Sequence, residues 1–146
     1  MPHRKTPFHI VGIDHVVFLV DDMPKALAFY GDVLGCARGF SYPALGMEQV
    51  WAGASLIVFW DVTHPGAARA VPPVTGGRNV DHLALAVSPC DRDELRKHLA
   101  DHGVAIETEA FQGGARGMGD ALYIHDPFGN RIELKGPPVY PDGTAT

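Results

Sequence analysis

Cysteine is scarce, basic residues fall short of acidic ones, and long apolar runs are missing. Only Cys36 and Cys90 occur, and neither belongs to a CxxC pair. A disulfide framework, a zinc ribbon and a dithiol redox motif therefore have no support. The 12 Lys and Arg stand against 17 Asp and Glu, a net charge of −5. The basic stripe that a phosphate backbone demands is absent, so no nucleic-acid partner is expected. No apolar run approaches the roughly 18 residues of a membrane span, so no membrane partner is expected either. The opening residues MPHRKTPFHIVGIDH carry charges but no apolar core or cleavage site, and no signal peptide is expected. What is present is ordinary: 146 residues, 46% hydrophobic and 20% charged. That mix suits one soluble domain, cytoplasmic with reduced thiols, able to bury its core without staples.

The chain reads as one rhythm played twice. Residues 13–20 are rich in β-branched and aromatic side chains and predict a strand. Asp21, Asp22 and Pro24 then open a helix whose Ala26, Leu27, Tyr30, Val33 and Leu34 form one apolar face, with Gly35 as its stop. Segments 38–40, 47–52 and 55–60 predict three short strands, separated by Pro43, Gly46 and Gly53. The second half repeats the order. Residues 80–87 predict a strand, and Asp91 with Glu94 resembles a capping box before a helix that ends at Gly103. Segments 104–109, 121–125 and 131–135 predict three more strands, the last two joined by the turn Asp126-Pro127-Phe128-Gly129-Asn130. Both halves begin with the same phrase, Ile13-Asp14-His15 against Val80-Asp81-His82. The expected fold is α+β: two paired βαβββ modules forming curved mixed sheets around a cavity. All of 1–146 is expected to be a single domain: module one 9–61, a Pro/Gly-rich linker 62–79, module two 80–136 and a tail 137–146. The long linker either spans the modules or allows their exchange between two chains.

Three phrases carry a family resemblance: IDHVVFLVDDMPKALAFYGDVLG, VDHLALAV and ALYIHDPFGNRIEL. In that order, and across residues 9–136, they resemble the vicinal oxygen chelate superfamily, which includes glyoxalase I, bleomycin-resistance proteins, fosfomycin-resistance thiol transferases and type I extradiol dioxygenases. The resemblance implies metal ligands on the first and last strands of the modules: His15, His82 and Glu133. Aligning Ile57-Val58-Phe59 with Ile132-Glu133-Leu134 puts Val58 where glyoxalase I enzymes have a fourth ligand, and valine binds no metal. The set left is two imidazoles and one carboxylate, open on one side to a substrate with two neighbouring oxygens. It suits one divalent ion, Fe, Mn, Ni, Co or Zn. Glu133 alternates with Ile132 and Leu134, so it points away from those apolar neighbours, to solvent or to a site.

Around that set the resemblance implies a functional role for Tyr123, ten residues before Glu133; the alternative is a wall residue with its hydroxyl on backbone. Arg116, in the Gly-rich loop 111–119, suits a substrate carboxylate or phosphonate or else is simply solvated. That loop lacks the His expected of the dioxygenases and the Lys and Ser expected of the thiol transferases. Phe40, Tyr42, Leu45, Met47 and Trp51 either line an apolar cavity or pack in the core. The implied function is a divalent-metal-dependent enzyme on a small-molecule substrate, nearest to dioxygenase-like members and acting as a homodimer. Its alternatives are a metal-free drug-binding protein of the bleomycin-resistance type and a glyoxalase-like or thiol-transferase-like enzyme.

Overall fold

Alternating apolar residues build two four-stranded sheets. A computed structural model describes residues 13–68, 70, 80–114 and 116–139. The first residues of the expected module one, most of the expected linker and most of the tail lie outside the described residues. The first sheet contains β1 (His15–Val20), β2 (Ala37–Tyr42), β3 (Met47–Ala52) and β4 (Ser55–Asp61) in the order β1-β4-β3-β2. The second contains β5 (Leu83–Ala86), β6 (Thr108–Gln112), β7 (Gly119–His125) and β8 (Arg131–Lys135) in the order β5-β8-β7-β6. In each sheet the first strand runs parallel to the last, and every other pairing is antiparallel. The sheets are therefore mixed and topologically identical, as the repeat predicts.

Each module carries its helix between the first and second strands. Helix α1 (Met23–Ala28) starts at Asp22, whose carboxylate accepts from the Lys25 amide, with Pro24 in the first turn. Its α-helical part is shorter than the predicted apolar face. Residues Phe29–Val33 continue it as a wider π-helical turn, in which the Leu34 amide reaches back to the Phe29 carbonyl. The widening lets two successive aromatics, Phe29 and Tyr30, both turn inward. Gly35 then ends the segment at φ +72°, a left-handed position that favours glycine. Helix α2 (Arg92–Asp101) is capped by Asp91, which accepts from the amides of Asp93 and Glu94, and Gly103 follows it at φ +69°.

Strands β3 and β8 match their predicted bounds; β1 and β5 begin two and three residues later than predicted. The strand predicted over 104–109 is displaced to Thr108–Gln112. Val104 and Ile106 are apolar because they pack against the core, not because they pair in the sheet. One apolar core joins the helix-facing side chains of both modules, among them Val20, Tyr30, Ile57 and Phe59 from the first and Leu99, Leu122, Ile132 and Leu134 from the second. A polar clasp spans it: the buried Tyr30 hydroxyl donates to Asp126 Oδ2 at 2.9 Å. Asp126 also holds its own turn, accepting from the amides of Phe128 and Asn130 and from Asn130 Nδ2. His98 on α2 adds a second link, its Nε2 lying 2.7 Å from the Val33 carbonyl.

Candidate metal centre

The faces turned away from the helices carry the candidate ligands. On β8, Ile132 and Leu134 enter the core, so Glu133 between them lies on the opposite face. Ala84 of β5 and Tyr123 of β7 flank Glu133 across the sheet. His82 immediately precedes β5 on the same face. Its Nε2 stands 3.1 Å from Glu133 Oε2. Its Nδ1 stands 2.7 Å from Asp81 Oδ2. The Tyr123 ring meets the imidazole edge-on at 5.6 Å between centroids, and the Arg131 guanidinium sits over the Tyr123 ring at 4.1 Å. Arg131 is in turn held by Glu107 and Asp81. Asp81 thus orients both a ring and a guanidinium. Burial, and then the neighbouring Glu133 carboxylate, hold the Tyr123 phenol above its ordinary value of 10.0.

Two observations fit this pair to a cation. Glu133 is only 5% exposed, and its Oε1 is buried without a hydrogen-bond partner. A buried carboxylate oxygen is normally satisfied by a donor or by a metal. Moreover, two ligands at about 2.1 Å from one ion and roughly 90° apart stand about 3 Å from each other, the separation found between His82 Nε2 and Glu133 Oε2. An acidic partner on Nδ1 is also the usual means of aiming Nε2 at a metal.

The third predicted ligand is oriented in the same way but stands elsewhere. His15 Nδ1 lies 2.6 Å from Asp14 Oδ1, and the ring is half exposed at the start of β1. Among the described residues of one chain, no set of three His, Cys, Asp or Glu side chains assembles to hold a metal. The structure therefore brings His82 and Glu133 together and leaves His15 on the other sheet. Strand register bears out the alignment of Val58 with Glu133. Val17, Val58 and Gln49 pair across the first sheet as Ala84, Glu133 and Tyr123 pair across the second. Gln49 thus stands in the place of Tyr123, and its Oε1 too is buried without a partner.

Other expectations are corrected. The face of the second module turned away from its helix carries Arg131, Glu133 and Lys135. Of the two alternatives for Phe40, Tyr42, Leu45 and Trp51, core packing does not occur; they are exposed on the first module, Phe40 by 61% and Trp51 by 39%, and Trp51 also lines the apolar cavity. The hollow between the modules is an apolar cavity of about 720 Å³ lined by side chains such as Leu34, Cys36, Leu56, Leu83 and Leu95. It reaches His15 but neither His82 nor Glu133. Arg116 is not free: its Nη2 donates to the Lys135 and Gly136 carbonyls at 2.8 and 3.2 Å. Sequence reasoning missed the roles of Asp14 and Asp81. Their signal was the repeated Asp-His pair itself.

The family model for the Glyoxalase/Bleomycin resistance protein/Dioxygenase superfamily matches residues 12–134, most of the chain. The chain belongs to that superfamily. Among solved structures it is similar to an integron cassette protein from V. cholerae, at 27% identity over 88% of this chain and 97% of that one, with a TM-score of 0.67. A virulence protein from Salmonella typhimurium shares 26% identity over 89% of this chain and 99% of that one, with a TM-score of 0.70. A variant of the fosfomycin resistance protein FosX from Listeria monocytogenes, complexed with Mn(II) and 1S,2S-dihydroxypropylphosphonic acid, shares 18% identity over 90% of this chain and 94% of that one, with a TM-score of 0.65. At that identity the likeness is one of fold. No helix among the described residues is long and apolar enough to cross a membrane.

Proposed function

We propose that this superfamily member is a divalent-metal-dependent enzyme whose substrate binds through two vicinal oxygens. The His82–Glu133 pair, with the buried and unpartnered carboxylate oxygen of Glu133, carries the reading. His82 and Glu133 of one chain and His15 of a second copy would hold the ion, with the two copies related by a two-fold axis. The exposed apolar side chains beside His15, Val17 and Trp51 among them, favour a covering partner. When bound, the ion supplies a Lewis acid that polarises two adjacent substrate oxygens. The chain's own residues do the rest. Asp14 and Asp81 fix the imidazoles, Tyr123 offers a protonated hydroxyl beside Glu133, and the apolar face of the first module excludes water. Dioxygenase-like chemistry stands nearest by ligand set, ahead of thiol-transferase-like and glyoxalase-like chemistry; Val58 removes the fourth ligand that glyoxalase I enzymes use.

Elemental analysis tests the reading. Purified protein is expected to hold about one metal per chain. His15→Ala, His82→Ala and Glu133→Ala each lose it, whereas a mixed dimer of His15→Ala and Glu133→Ala chains recovers one site of two. Protein that purifies metal-free and takes up none of Fe, Mn, Ni, Co or Zn overturns it. Oxygen uptake with catechols then ranks the chemistries. The exposed apolar face of the first module favours one second reading, a metal-free binding protein of the bleomycin-resistance type. It predicts ligand affinity unchanged by chelators.

A further inference from the structure

Tyr123 is buried and held on more than one side. The His82 imidazole meets its ring edge-on, and the Arg131 guanidinium covers one face at 4.1 Å from the centroid. A cation over a π-face is attracted to it. The guanidinium is itself gripped from two directions. Its Nε donates to Glu107 at 2.7 Å and its Nη1 to Asp81 at 3.2 Å. A planar fork held at both ends keeps its orientation over the ring. Glu107 also fixes the strand beneath, because its amide donates to the Tyr123 carbonyl at 2.8 Å. The first module folds without any such clamp. By register, Leu56 stands where Arg131 stands and Gln49 where Tyr123 stands, in a sheet of the same topology. Nor do the ion pairs account for Arg131 through stability. Asp81 and Glu107 are exposed, and exposed pairs contribute little. The topology therefore does not require this guanidinium, yet the contacts aim it at one aromatic ring.

We propose that Arg131 is a positioning residue of the candidate site: it pins the Tyr123 ring against His82 and so keeps the phenol hydroxyl beside Glu133, where the substrate is to be met. The proposal deepens the function put forward above and rests on it for the part that Tyr123 plays toward a substrate; the pinning of the ring stands apart from it. A side chain on a strand has more than one common rotamer. A ring free to choose among them would offer its hydroxyl at the site only part of the time. The guanidinium on its face selects the rotamer that packs against the imidazole. Asp81 then has a double part, since it touches both His82 and Arg131. One carboxylate aligns a candidate ligand and the clamp on the neighbouring phenol.

The test uses full-length protein and has two arms. In the first, NMR on metal-free protein reads the contact between the Tyr123 and His82 rings as a nuclear Overhauser cross-peak. Arg131→Met is expected to lose that cross-peak while the amide signals of β7 and β8 stay in place, and Arg131→Lys, which keeps a cation over the ring, is expected to recover part of it. If Arg131→Met fails to fold, Glu107→Gln, which loosens the guanidinium on one side, decides by the same cross-peak. In the second arm, 4-nitrocatechol is titrated into Mn(II)-loaded protein, and affinity is counted per bound metal. Arg131→Met and Tyr123→Phe are each expected to weaken binding by about fivefold, and the double variant is expected to bind no worse than either single one. A cross-peak that persists unchanged in Arg131→Met, or losses that add up in the double variant, overturns the proposal. Protein that takes up no metal, but whose cross-peak vanishes in Arg131→Met, preserves the clamp and sinks the metal-enzyme reading; the converse result sinks only the clamp.

Discussion

Strand β4 of the first module presents Leu56, Val58 and Trp60 on the face where β8 of the second presents Arg131, Glu133 and Lys135. The alternate residues hardly differ, Ile57 and Phe59 against Ile132 and Leu134, and all four are buried in the shared core. The backbone solution is set by the side that meets the helices. The other side is released from packing and carries whatever chemistry the module needs. On the function proposed above, one module contributes a largely apolar wall with His15, and the other a charged surface with His82 and Glu133.

The sharpest way to break the contrast is to make the second module resemble the first. Glu133→Val is expected to abolish metal retention in elemental analysis while raising the melting temperature of the metal-free protein, because it removes a buried carboxylate with an unpartnered oxygen. The converse change, Val58→Glu, places a carboxylate at a buried position. It is expected to destabilise metal-free protein by about 2 kcal/mol or more in urea titrations, and added Mn(II) is expected to restore part of that loss. Next comes the clasp between modules. Tyr30→Phe removes one hydrogen bond to a buried carboxylate, and about 1.5 kcal/mol of unfolding free energy should disappear. Asp126 keeps its turn bonds, so the fold survives.

The smallest effect concerns pH. The second module ties α2 to β6 through Arg96 and Glu109 at 2.6 and 2.7 Å. That hydrogen bonding first, and the guanidinium charge with it, hold the Glu109 carboxyl below its ordinary 4.5. A carboxylate lowered on folding contributes stability above its unfolded value and loses it as pH falls through the folded one. Glu109→Gln should therefore melt slightly lower than wild type near neutrality and converge with it in acid. The pair is exposed, so added salt should shrink the difference.

Much of this was legible in the chain. The repeated Asp-His phrase located the two equivalent strands, and the turn 126–130 located β7 and β8. The alignment of Val58 with Glu133 needed only period-two alternation and is matched by the observed register. Other features lay beyond local pattern. Val104 and Ile106 alternate like a strand while serving the core, and the π-helical turn leaves no trace in a 3.6-residue rhythm. The burial of Lys135 and the half-burial of Gln49 depend on strands distant in sequence. The separation of His15 from its expected companions arises from how whole modules sit on one another, which no motif encodes.

The Tyr30–Asp126 clasp has a further consequence. It fastens the two halves through the interior, so a bending motion that carried His15 toward Glu133 of the same chain would have to tear out a buried polar contact. The missing imidazole then has to arrive with another molecule, and ion retention on this proposal obeys mass action. Diluting the protein should release the ion even at constant free metal, a behaviour foreign to a centre completed within one polypeptide.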